Sequence, residues 1–169
     1  MADHPADPSL DRLLRHMAWA NQSLIATLAT LPDSALQTAA PNNEWHVARI
    51  LDHIAGAAGN YANRLDGGVR GPKTEPPTAA AQLPALGTRL AAVDARLRAH
   101  AALPDGRAGY AGAPPEEQAA RSTVIAQAIH HATEHRAQIA EALSTNGIKA
   151  VDLDAIDLWE FADAEDRSA

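Results

Sequence analysis

The chain contains no cysteine. It can therefore form no disulfide, offer no thiolate to a metal and use no cysteine nucleophile, and any thiol chemistry it performs must employ an external thiol. Aromatic residues are scarce, at 4% against 46% hydrophobic residues in total, so the core has to be built from Leu, Ala, Ile and Val, as in closely packed helical proteins. Positive charge is also in deficit. A formal net charge of -7 leaves no broad basic surface for nucleic acid phosphates or an anionic membrane, and neither is expected as a partner. Long apolar runs are missing as well: the N-terminal stretch MADHPADPSL is acidic, and no later segment approaches the length of a membrane span. The expectation is a soluble, cytoplasmic protein. At 169 residues the chain suits one domain, residues 1–169, with enough length to bury a substantial core.

Helical periodicity dominates what is present. Leu10, Leu14, Met17, Asn21, Leu24, Leu28 and Leu31 step by four and three residues, which predicts a bundle helix with one polar position in its buried stripe. Ser9 or Asp7 is a candidate cap at its start, and Pro32 stops it. A second helix is expected from about Asn42 or Asn43, with Glu44 in its first turn and Val47, Ile50, Leu51, Ile54, Ala58, Tyr61 and Leu65 inward. GGVRGPKTEPP then reads as a loop. Leu83, Leu86, Leu90, Val93 and Leu97 predict a third helix running to about Leu103, with Pro84 either in its second turn or near its first helical position. After a second loop, PDGRAGYAGAPP, Pro114 or Pro115 is expected to open a fourth helix. Its inner face carries Val124, Ile125, Ala128, His131, Ala132, His135, Ile139, Ala142 and Leu143, and it ends before Gly147. A short amphipathic segment, LDAIDLWEFA, follows, and no strand-like alternation of useful length is seen. The fold class is all-α.

Histidines supply the candidate chemistry. His131 and His135 are four residues apart, so on a helix they leave the same face one turn apart and can chelate one ion. His53 lies about eighty residues upstream, at the edge of the buried face of the second helix, and supplies a third nitrogen if the fold brings the two helices together. From spacing alone two readings stay open: a metal site, and partly exposed or hydrogen-bonded core histidines. His46, two turns before His53, is a candidate base or substrate contact, against the plainer role of a partly exposed residue near a helix N-terminus. Arg49 is a candidate anchor for an anionic substrate, against a solvated surface residue. His130 points about 100° away from His131 and ranks below it as a ligand. No Glu follows His131, so the zincin HExxH pattern is absent. Asp52, His100, His4 and His16 form no constellation, and His100 is placed to complement a helix dipole. Asn21 is a candidate bundle-specifying polar residue or a donor to a site residue, the structural role being favoured.

The order of WAN (Trp19, Ala20, Asn21), NEWHVARILDHIAGA, HATEHRAQI and the closing NGIKAVDLDAIDLWEF resembles the DinB/YfiT-like family of metal-dependent four-helix bundles over nearly the whole chain. The resemblance implies an up-down-down-up bundle with a short C-terminal helical segment, assembled as a homodimer, in which His53, His131 and His135 are the metal ligands. It also implies a divalent ion (Zn, Ni or Fe) and, as in some relatives, transfer of a low-molecular-weight thiol to an electrophile or thiol-assisted isomerisation. His46 departs from the family pattern, standing where relatives often carry a small polar residue. The expected function is therefore a thiol S-transferase or isomerase. In it the metal activates an external thiol, or water in a hydrolase variant, against a small electrophile. The competing class is a non-enzymatic metal-binding or stress-related protein with a vestigial, structural or sensing site.

Overall fold

A computed structural model describes residues 7–168. Helix α1 spans Pro8–Ala29. The Asp7 carboxylate accepts from the backbone N–H of Ser9 (2.7 Å) and Leu10 (3.3 Å), with Pro8 at the first helical position, where a missing N–H loses nothing. Asp7, not Ser9, is thus the cap. Helix α2 spans Val47–Leu65, a start four or five residues later than the expected one. The Asn43 side chain accepts from Trp45 N–H at 2.9 Å, an Asx turn that satisfies the chain locally instead of opening a helix. His46 is the cap, its Nδ1 accepting from Arg49 N–H at 3.3 Å.

Helix α3 spans Leu83–Ala101 after a single 3₁₀ turn, with Pro84 in its opening turn. It stops short of Leu103, which is exposed. Helix α4 spans Arg121–Thr145, so the expectation that Pro114 or Pro115 opens it is corrected. Pro115–Glu117 form only a 3₁₀ turn, after which β2 (Ala119–Ala120) pairs antiparallel with β1 (Arg107–Ala108). Ala120, at the cap position, has no side-chain acceptor. Asp105 supplies it from the preceding loop, accepting from Ser122 N–H at 3.0 Å and Ser122 Oγ–H at 2.9 Å. Gly147, with φ +80°, closes the other end, and Ile148 N–H bonds back to the Leu143 carbonyl. Helix α5 spans Leu158–Asp166, capped by Asp157. It docks Phe161 against Trp19 and His16 of α1 at ring distances of 5.6 and 5.8 Å.

Cross-helix contacts give the topology. Asp11 meets Arg98 and Gln22 meets Gly87, so α1 and α3 are antiparallel. Asn63 bonds Arg96 while Asp52 and Arg89 line one cleft, so α2 and α3 are parallel. His53 meets His135, and Arg64 donates to the Glu117 carbonyl ahead of α4, so α2 and α4 are antiparallel. The order is up-down-down-up. The parallel α2–α3 pair requires a long return, which residues 66–82 provide. Part of that return roofs a cleft of about 180 Å³ between α2 and α3, floored by Gly56 and Gly59. The core is aliphatic, with Leu14, Leu24, Leu28, Ile50, Leu83, Leu97, Ile125, Ile139 and Leu143 nearly inaccessible. Among the described residues no helix is long and apolar enough to cross a membrane.

Candidate metal centre

The antiparallel packing of α2 on α4 brings His53 to the His131/His135 pair. Their Nε2 atoms converge: His131 lies 2.9 Å from His53 and 3.1 Å from His135. One nitrogen from each of the three lies within 4.8 Å of the others, and all three rings are half-buried. Hydrogen bonding accounts poorly for this cluster, because a neutral imidazole carries one proton for two nitrogens, and three Nε2 atoms aimed at one point leave lone pairs opposed. A cation relieves that opposition. The nitrogens lie close enough together for one ion to reach all three at bond lengths of about 2.0–2.1 Å. The residues present fit a divalent ion.

Their charge state fits as well. Burial is the main cause that pushes the His131 imidazolium down to about 4, with His135 and then His53 adding repulsion. Burial also lowers His53, followed by His135; Asp52 opposes this and Arg49 adds to it. Both rings are neutral at pH 7 and present free lone pairs. The tautomer of His135 is set from behind. Its Nδ1 lies 2.7 Å from Gln138 Oε1, an oxygen that can only accept, so the proton sits on Nδ1 and Nε2 is bare toward the cluster.

Two aromatic residues wall the site. The Trp45 ring packs edge-on to His53 at 4.8 Å and lies near parallel to His135 at 6.4 Å, while Tyr61 meets His131 edge-on at 5.7 Å. The exposed Arg49 guanidinium lies 4.8 Å over the Trp45 ring, one helical turn before His53 and close enough to repel its imidazolium. His46 is occupied through Nδ1 as the cap of α2. His130 is exposed. His100 pairs with Asp66 at 2.5 Å rather than merely facing a helix end. His16 donates from Nε2 to the Ile156 carbonyl at 2.9 Å, and Asp52 accepts from Thr74 Oγ–H at 2.5 Å. His4 lies outside the described residues.

Sequence reasoning missed Gln138, Trp45 and Tyr61 as parts of the site. Gln138 had a signal, an amide acceptor three residues after a candidate ligand on the same helix. It also missed Arg136, only 3% exposed, which a charged residue in a helix pattern does not announce. Arg136 donates to Asn21 Oδ1 at 2.8 Å and to Thr133 Oγ at 3.0 Å, and Asn21 donates to Asp94 Oδ2 at 3.3 Å. Asn21 is buried as expected.

The model of the DinB family matches residues 1–167, and the chain belongs to that family. No curated protein shows a significant match to it.

Proposed function

We propose that this DinB-family chain is a metal-dependent enzyme that turns an external low-molecular-weight thiol, or water, against a small electrophile, as a thiol S-transferase or isomerase. The convergence of His53, His131 and His135 carries the reading. A divalent ion there (Zn, Ni or Fe) would keep its full charge and an open position, and would supply the Lewis acidity that makes a thiol or water nucleophilic near neutral pH. The chain's own residues do the rest. His53 and His131 bind as neutral donors because burial disfavours their protonated forms. Gln138 holds the proton on Nδ1 of His135 and thereby orients its ring. Trp45 and Tyr61 exclude water from two sides and offer apolar walls to an electrophile. Arg49 places a positive charge near His53 for an anionic substrate or for the carboxylates of a peptide-like thiol. The absence of cysteine makes the thiol a co-substrate. A homodimer in the cytoplasm, where thiols are kept reduced, completes the proposal.

The test is metal analysis of purified protein, followed by turnover of one electrophile with several low-molecular-weight thiols, with and without chelator. Metal-dependent, thiol-dependent turnover is expected. Hydrolysis without thiol dependence would make water the nucleophile. Stoichiometric metal binding with neither reaction across a broad panel would favour a non-enzymatic, structural or sensing site.

A further inference from the structure

The buried chain Asp94–Asn21–Arg136 links α3, α1 and α4 through the middle of the bundle, each residue 2–3% exposed. Stability does not explain it. Burying an arginine and a carboxylate without direct contact is unfavourable relative to apolar residues of similar size. Among the described residues Asp94 Oδ1 has no hydrogen-bond partner, and burial pushes the Asp94 carboxyl up to about 6.

What the network does supply is direction. Next to the two ligand histidines, α4 packs inward through Ala128 and Ala132, whose methyl groups define little rotational register. Larger buried side chains engage to either side of the pair, Val124 and Ile125 before it and Ile139 and Leu143 after it, with Ile129 only partly buried near His131. An imidazole nitrogen stands about 6 Å from the helix axis, so a 10° rotation of α4 moves it by about 1 Å. Metal–ligand distances tolerate about 0.2 Å. Arg136 follows His135 directly and projects about 120° around α4 from the midpoint of the histidine pair. Its planar guanidinium is held at two corners, by Asn21 Oδ1 and by Thr133 Oγ, the latter itself donating to the Ile129 carbonyl at 3.0 Å. Thr133, on α4 itself, fixes the plane of the fork, and the directional bond to Asn21 on α1 then resists rotation of α4 as the point charge of a lysine would not.

We propose that Arg136, anchored across the bundle by Asn21 and Asp94, is a positioning residue for the metal centre, setting the rotation of α4 so that His131 and His135 face His53. The inference rests on the metal-centre reading and extends it to residues that touch no ligand atom. The test compares the full-length wild type with the double variant Asp94→Asn/Arg136→Met, which removes both buried charges at nearly constant volume. Folding is followed by circular dichroism and urea denaturation, Zn²⁺ affinity by chelator competition, and site geometry by the visible absorption of bound Co²⁺. The double variant is expected to melt at or above the wild-type temperature, yet to bind Zn²⁺ 10–100-fold more weakly, the range typical of partners that orient metal ligands, with an altered Co²⁺ spectrum. Wild-type binding accompanied by unchanged Zn²⁺ affinity and Co²⁺ spectrum in the variant overturns this inference alone. Failure of the wild type to bind either ion overturns the metal-centre reading and this inference together. If the double variant does not fold, Arg136→Lys carries the same comparison, since it keeps the charge and loses the fork.

Discussion

Replacing Gln138 tests how far the metal centre depends on a side chain that never reaches the ion. Its Oε1 lies 2.7 Å from His135 Nδ1 and is the contact that keeps the ring proton away from the cluster. In Gln138→Leu the side chain at 138 no longer accepts from Nδ1, so His135 must spend binding energy on selecting the tautomer and ring angle that the hydrogen bond now provides. Outer partners of this type change metal affinity about 10–100-fold, equivalent to about 1.4–2.7 kcal/mol. Gln138→Glu works in the opposite sense, because a carboxylate accepting from Nδ1–H makes Nε2 a better donor and tightens binding. The pair of variants gives a signed expectation: Zn²⁺ affinity by chelator competition should fall in Gln138→Leu and rise in Gln138→Glu, with urea midpoints of the metal-free proteins close to wild type. Equal affinity in all three proteins would refute the argument. So would weaker binding in Gln138→Glu accompanied by normal stability, since it would mean that Nδ1 does not donate to residue 138.

In metal-free protein, the half-buried His131 and the buried Asp94 should oppose each other in acid. His131 is pushed down to about 4 from 6.5, so between those values the unfolded chain holds the extra proton and stability is lost as pH falls. Asp94 is raised from 3.8 to about 6, so in its window the folded state holds the extra proton and stability grows as pH falls. Asp94→Asn deletes the second effect, and urea midpoints at pH 7, 6 and 5 with chelator present should fall more steeply in the variant than in wild type; an equal or shallower decline would contradict the assignment. Gly59 lies within α2, and a Cβ built there meets nothing within 4 Å among the described residues. Gly59→Ala should therefore stabilise the protein by about 0.4–1 kcal/mol through helix propensity and unfolded-state entropy, and a lowered melting temperature would show that the open cleft floor matters to the fold.

Local pattern was sufficient for what repeats within a turn or two. The aliphatic stripes of α1 and α3 and the shared face of His131 and His135 follow from helical geometry, because residues three and four apart must share a face. The two helix starts that were misplaced show where such reading stops. At α2 the Asn43 side chain satisfied a turn, and His46 became the cap. At α4 the cap is Asp105, sixteen residues before the helix begins and visible only when the intervening loop is closed. The metal centre divides along the same line. The sequence carried the donors, while the antiparallel docking of α2 on α4 brought His53 to within 2.9 Å of His131 and turned a spacing into a site. Tertiary structure decided that Arg136 points into the bundle and that His135 turns its Nδ1 toward Gln138 and its Nε2 toward the cluster. Arg136 depends on the rotation of α4 and on Asn21 of α1, and the Gln138 contact, although it lies within α4, depends on which way the His135 ring is turned by its docking against His53; hydrogen-bond direction, unlike hydrophobic periodicity, leaves no repeat in the chain.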